Sequence, residues 1–154
     1  MMTFILPAIN FLFFKVTGTI DNLAMPERKQ RIIPFLFISI LYCAVTFLFH
    51  WKVNAAAVTN LLMTISAMVV ISASITLFYK VSIHSAAIWG IVGILLPLYK
   101  SSSGLLLIPI TILIIVAGMV MSSRLMLNAH TPREVLTGSL LGFGIGFGGV
   151  LILF

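Results

Sequence analysis

The segment SSRLMLNAHTPRE, residues 122–134, is a polar island between two long apolar runs. It contains Arg124, His130 and Glu134, in a chain that has few charged residues and only three histidines. Polar groups at the end of a membrane span are tolerated when they reach water or a partner. An arginine, a histidine and a carboxylate in one such segment therefore indicate a candidate site.

The composition is that of an integral membrane protein. Of the 154 residues, 61% are hydrophobic and 8% are charged, whereas soluble domains are about 25% charged. The net charge is +6, and the basic residues lie between apolar runs. We therefore expect anionic membrane lipids or phosphate ligands as partners, and no nucleic acid.

Cysteine and motif content give no indication of a metal or a cofactor. The single Cys43 excludes an intrachain disulfide. The sequence has no Cys/His pair at metal-binding spacing, no P-loop and no dinucleotide fingerprint.

Five apolar runs are predicted to cross the membrane, where about 20 apolar residues are needed. The runs are Ile32–Trp51, Val53–Tyr79, about Ala86–Tyr99, Leu105–Met121 and Val135–Phe154. The third run is long enough only if it begins near Ile83. The predicted fold is an all-α, polytopic transmembrane helical bundle, with residues 1–154 forming one membrane-embedded domain.

A short N-terminal apolar segment, residues 2–14, precedes these spans and is broken by Pro7. It is too short to cross a bilayer, because a transmembrane helix needs about 20 residues. It is either a re-entrant or interfacial helix or the remnant of a span whose start is missing from a truncated N-terminus.

The last apolar run contains three GxxxG pairs: Gly138/Gly142, Gly142/Gly146 and Gly144/Gly148. Small residues at this spacing let helix backbones approach closely in lipid. We expect tight packing within the bundle, and the same helix is the candidate surface for a homo-oligomer.

Counting crossings brings the polar segments to one side of the membrane. Two spans separate the polar segment that ends in Arg28–Arg31 from Lys80–His84, and two more separate the latter from Arg124–Glu134. An even number of crossings returns the chain to the same face, which then carries a basic cluster and two histidines. The positive-inside rule would make this face cytoplasmic, but basic residues that bind phosphate do not report topology.

Such a cluster meets the requirements of phosphate-ester hydrolysis without a metal. Arginines neutralise the phosphoryl oxygens, preferably with bidentate geometry. Helix N-termini add backbone N–H donors. A nucleophile attacks phosphorus while an acid protonates the leaving oxygen, and histidine can do either near neutral pH.

Three segments resemble the motifs of the type-2 phosphatidic acid phosphatase superfamily. Residues 123–134 resemble the third motif, S-R-x5-H-x3-D, and Ser82-Ile83-His84 resembles the second, P-S-G-H. Residues 28–34, RKQRIIP, resemble a degraded first motif, K-x6-R-P. The pattern is similar to that of small, divergent bacterial members.

The resemblance implies metal-independent hydrolysis of a lipid phosphate or isoprenyl pyrophosphate through a phosphohistidine intermediate. His130 would be the nucleophile, Glu134 would orient its ring, and His84 would protonate the leaving alcohol. The phosphoryl oxygens would be held by five residues: Arg124, Ser82, Arg31, Arg28 and Lys29. The implied location is the bacterial cytoplasmic membrane, with the site facing outward.

Several positions depart from the family pattern. Ala24 stands where the first motif has lysine, and Pro34 is not adjacent to Arg31. Ile83 replaces a glycine, whose backbone can approach a phosphate more closely. Glu134 replaces an aspartate and is one methylene longer. These differences bear on catalytic efficiency.

Glu134 also has a purely structural interpretation. Thr131-Pro132-Arg133-Glu134 has the sequence of a helix capping box. Glu134 could therefore reach back to the backbone N–H of Thr131 or across to His130, and the sequence leaves both open.

The remaining candidates have structural interpretations too. Arg124, directly after a span, could snorkel to the interface, although its spacing to His130 favours a site. His84 could be an interfacial histidine without a role. Arg28–Arg31 could anchor a helix to lipid phosphates.

Two other functions fit the sequence: a non-catalytic protein that binds anionic lipid headgroups, and a small transporter or assembly subunit with the glycine-rich helix as its interface. Geometry discriminates among them. A phosphatase requires His84 and His130 to converge on one pocket lined by Arg124 and Arg31.

Overall fold

The computed structural model describes residues 28–53, 55–99 and 104–154, and the isolated positions Leu12 and Val16. The side chains of residues 28–31 lie outside this description. The predicted N-terminal apolar segment, residues 2–14, also lies outside it, apart from Leu12. The described residues form five helices: α1 (Arg28–Lys52), α2 (Ala56–Thr76), α3 (Ile83–Leu98), α4 (Leu107–Met126) and α5 (Pro132–Leu153).

The predicted all-α membrane bundle is confirmed. Residues 32–52 of α1, together with α2, α4 and α5, are long and apolar enough to cross a membrane. Helix α3 is apolar but shorter, with 16 residues, which rise about 24 Å against a hydrocarbon core of about 30 Å. It begins at Ile83, the position at which the third apolar run must begin if it is to cross the membrane.

Helices α3 and α5 pack backbone against backbone. Three glycines of α5 face small residues at the start of α3 and along it: Gly138 faces the N-cap residue Ser82, Gly142 faces Ala86 and Gly146 faces Gly90. A Cβ on any of these glycines would collide with the facing carbonyl oxygen. The offset between facing residues is constant, so the two helices run parallel and in register.

This parallel packing brings the starts of α3 and α5 to one end of the bundle. The backbone N–H of Ser82 donates to the carbonyl of Glu134 at 3.2 Å, which joins the two starts directly. The segments Lys80–His84 and Arg124–Glu134 therefore lie at the same membrane face, as the count of crossings predicts.

The glycine stripe is used inside the bundle, as expected. By contrast, Gly144 and Gly148 have open space where a Cβ would lie. The homo-oligomer through this helix stays a prediction.

Polar side chains join the first two helices to each other and to α5. The Thr46 and Ser66 hydroxyls are 2.7 Å apart, and Ser66 donates to the carbonyl of Tyr42 at 3.2 Å. Asn60 of α2 donates to the carbonyl of Leu153 at 2.6 Å and so satisfies the end of α5. Buried polar groups in lipid need such internal partners.

Helices α1 and α2 form an antiparallel hairpin, and the principal packing of α1 is against α2. Helix α4 packs mainly on α3, where the Trp89 indole N–H donates to the Met121 sulfur at 3.1 Å.

Replacing Gly142 with alanine should destabilise the bundle, because the added methyl meets the backbone of Ala86. We expect the free energy of unfolding in detergent to fall by about 1–3 kcal/mol. Gly144→Ala is the matched control: its Cβ enters open space, and alanine favours a helix by up to about 1 kcal/mol over glycine. Equal melting temperatures for the two variants would contradict the packing.

Candidate functional site

The turn after α4 directs the chain toward His130. The N–H of Ala129 donates to the carbonyl of Arg124 at 3.1 Å, and that of Asn128 to the carbonyl of Leu125 at 3.0 Å. This is a Schellman motif, with Asn128 in the left-handed conformation at φ 50°. Asparagine tolerates this conformation better than other non-glycine residues. An asparagine directly after an apolar helix was the available sequence signal.

Helix α5 begins with the predicted capping box. The Thr131 hydroxyl accepts from the N–H of Glu134 at 3.4 Å, and Glu134 Oε2 accepts from the N–H of Thr131 at 3.3 Å. Pro132 occupies the first turn, where its missing N–H costs nothing. His130 immediately precedes this cap, at the positive end of the α5 dipole.

The same carboxylate oxygen also holds the His130 ring. Glu134 Oε2 lies 2.8 Å from His130 Nδ1, so both roles that the sequence left open for Glu134 are present together. The His130 side chain is 5% exposed and the Glu134 side chain 14%. A carboxylate can only accept, so Nδ1 carries the proton and the lone pair of a neutral ring is on Nε2.

Lys80 is the third group at this oxygen. Its Nζ lies 3.9 Å from Glu134 Oε2, and its side chain is 29% exposed. A long, partly exposed pair of this kind contributes about 0–1 kcal/mol. The segment that carries Lys80 is held firmly, because Val81 and Ser82 are fully buried against α5.

A partly open cavity of about 360 Å³ lies beside His130, near the lower end of the range for small-molecule sites, about 300–1,000 Å³. It is lined by Lys80, Leu125, Asn128, Ala129, His130, Thr131 and Pro132. His130 is the predicted catalytic residue among them. Lys80 and Asn128 were not among the predicted site residues.

Other predicted residues take different positions. Ser82 is buried, and its hydroxyl caps α3 by pairing with the Ser85 hydroxyl at 2.9 Å and accepting from the Ser85 N–H at 3.4 Å. His84 is exposed on the first turn of α3. Neither residue is among those that line the cavity.

Arg124 lies in the last turn of α4, close in sequence to the cavity but not part of its lining. Its Nε is the buried side-chain nitrogen that has no hydrogen-bond partner in the described part of the chain. A buried donor without a partner is costly and calls for a ligand, water or ion.

Arg28, Lys29 and Arg31 begin α1. By the connectivity of the α1–α2 hairpin, their backbone lies at the end of the bundle that carries the cavity. Their side chains lie outside the described part of the chain. Within that part, no group of three or more His, Cys, Asp or Glu side chains could hold a metal ion.

A family model for the PAP2 superfamily matches residues 72–154, more than half of the chain. The chain belongs to the PAP2 superfamily. The match confirms the resemblance to type-2 phosphatidic acid phosphatases. It contains the segments around His84 and His130 and does not extend to the degraded first motif at residues 28–34. No curated protein and no solved structure matched the chain.

Membership of the PAP2 superfamily indicates phosphatase-type activity on lipid phosphates. Together with the long apolar helices, it makes this chain an integral membrane protein. An imidazole held by a carboxylate at a helix N-terminus, beside a cation, is an arrangement suited to attack on a phosphate ester.

Proposed function

We propose that the protein hydrolyses a lipid phosphate, or an isoprenyl pyrophosphate, through a phosphohistidine on His130. The observation that carries this proposal is the 2.8 Å hydrogen bond from His130 Nδ1 to Glu134, made beside a cavity that His130 lines. A base held by a carboxylate is the usual arrangement for an activated histidine.

The first half-reaction forms a bond from His130 Nε2 to phosphorus and breaks the phosphorus–oxygen bond to the lipid alcohol. The ring becomes positively charged as it loses its lone pair. Glu134 stabilises that charge through Nδ1–H. In the second half-reaction, water attacks phosphorus, the phosphorus–nitrogen bond breaks, and inorganic phosphate leaves with His130 restored.

His84 would protonate the leaving alkoxide and then take a proton from the attacking water. Its exposed position on the first turn of α3, at the membrane face of the site, is compatible with this role. The role requires its ring to reach the leaving oxygen in the bound complex, where catalytic contacts often tighten.

Arg124 is our principal candidate for binding the phosphoryl oxygens, supported by its buried, unpartnered Nε and by the preference of guanidinium for phosphate. Arg28, Lys29 and Arg31 would add positive charge from the start of α1. Ser82 would contribute only if its hydroxyl turned away from Ser85.

The lipid nature of the substrate is supported by the apolar rim of the cavity. Leu125 lines it, and the adjacent Met126 and Leu127 are exposed. An acyl or isoprenyl chain would lie along the end of α4 while the phosphate meets His130. We place the protein in a bacterial cytoplasmic membrane, with the site facing outward and membrane lipids as its surroundings.

A second function, that of a non-catalytic protein that binds anionic lipid headgroups, is favoured by one observation: His84 is not among the residues that line the cavity. A protein without a general acid at the site would bind anionic headgroups and not hydrolyse them. Phosphate release by the wild-type protein separates the two functions.

The His130→Ala variant should lose phosphate release. We expect purified wild-type protein to release inorganic phosphate from at least one member of a panel of lipid phosphates and isoprenyl pyrophosphates. Loss of the nucleophile should lower the rate by about 10³-fold or more. His50→Ala, at the opposite end of α1, is the matched control and should keep the wild-type rate. Equal rates for wild type and His130→Ala would remove His130 as the nucleophile.

The His84→Ala variant should show an effect that depends on the leaving group. A general acid contributes about 10²–10⁴-fold, so hydrolysis of an alkyl phosphate should fall by this factor. Hydrolysis of p-nitrophenyl phosphate should fall far less, because its leaving phenolate needs no proton. A similar loss for both substrates would indicate a structural or binding role for His84 and not acid catalysis.

A further inference from the structure

The cavity beside His130 contains one positively charged side chain among the residues that line it, Lys80. The remaining lining is His130, Thr131, Asn128 and three apolar residues. A dianionic phosphoryl group in this cavity would therefore meet Lys80 as its nearest cation within the described lining. Arg124 is not among the lining residues.

Lys80 is held at the cavity by its neighbours along the chain. Val81 and Ser82 are buried, and the N–H of Ser82 donates to the carbonyl of Glu134. The backbone of Lys80 is therefore fixed beside the first turn of α5. This turn carries Glu134, whose carboxylate holds His130. The Lys80 side chain, in contrast to its backbone, can move and pair with a different acceptor.

The partner that Lys80 has in this structure is a weak one. The distance of 3.9 Å to Glu134 Oε2 is too long for a hydrogen bond. That oxygen already accepts from His130 Nδ1 at 2.8 Å and from the Thr131 N–H at 3.3 Å. A partly exposed ion pair of this length contributes little to stability, so breaking it costs little free energy.

We propose that Lys80 is a substrate-binding residue whose ammonium group moves from Glu134 to the phosphoryl oxygens when a phosphate ester enters the cavity. A phosphate offers two negative charges and several acceptor oxygens in place of one occupied carboxylate oxygen. The exchange also removes a competing positive charge from Glu134, so that, among the described residues, His130 is the one cationic partner of the carboxylate when its ring becomes charged. This proposal rests on the proposed phosphate site at His130.

The test uses the full-length protein in detergent and orthovanadate as a phosphate mimic, so that binding is measured without turnover. Lys80→Met keeps the length of the side chain and removes its charge, Lys80→Arg restores the charge, and Lys52→Met is the control at the far end of α1. Each variant is assayed for vanadate affinity, for kcat and KM with a lipid phosphate, and for melting temperature.

Lys80→Met should weaken vanadate binding by about 10- to 100-fold, the value of one hydrogen bond to a charged group, and KM should rise by a similar factor. Lys80→Arg should recover most of the affinity. Lys52→Met should bind as wild type does, and the melting temperatures of all variants should agree within about 3 °C, because the pair with Glu134 is weak.

Wild-type vanadate affinity in Lys80→Met would overturn the proposal, as would wild-type protein that binds no vanadate. Weak binding accompanied by a lower melting temperature and no recovery in Lys80→Arg would make Lys80 a structural residue and also overturn it. If wild type binds vanadate but releases no phosphate, and Lys80→Met loses the binding, Lys80 is a phosphate ligand and hydrolysis is the part that fails.

Discussion

The contact between the glycine stripe of α5 and the small residues of α3 determines the geometry of the site. Because Gly142 lies against the backbone of Ala86, the two helices cannot slide without opening a gap or creating a collision. That fixed register joins Ser82 to Glu134 through a backbone hydrogen bond. Two segments separated by about fifty residues of chain thereby become one end of the bundle, and Lys80 reaches the carboxylate that holds His130.

Glu134 connects the fold to the proposed chemistry. One of its oxygens completes the cap of α5 through the Thr131 N–H and also accepts from His130 Nδ1. The cap fixes the backbone on which the carboxylate stands, so orienting the ring needs no additional ordering of the side chain. The glutamate side chain is long enough to make both contacts.

Much of this arrangement could be predicted from the sequence, because apolar length and capping chemistry are local. The four long apolar helices and the capping box at Thr131 follow from such signals. The pairing of Lys80 with Glu134 could not be predicted, because it depends on the register of α3 against α5. The exposure of His84 could not be predicted either, because it depends on the rotation of α3 about its axis. The partner of the Ser82 hydroxyl could not be predicted because Ser85 and a bound ligand can both pair with it.

We propose above that Glu134 holds His130 by Nδ1 and leaves Nε2 to attack phosphorus. The most direct measurement is phosphorus NMR of the intermediate trapped by rapid denaturation during turnover of a lipid phosphate, because the two phosphohistidine isomers differ in chemical shift. We expect one phosphorylated residue, His130, with the phosphoryl group on Nε2. A phosphoryl group on Nδ1 of His130, or on any other residue, would contradict it.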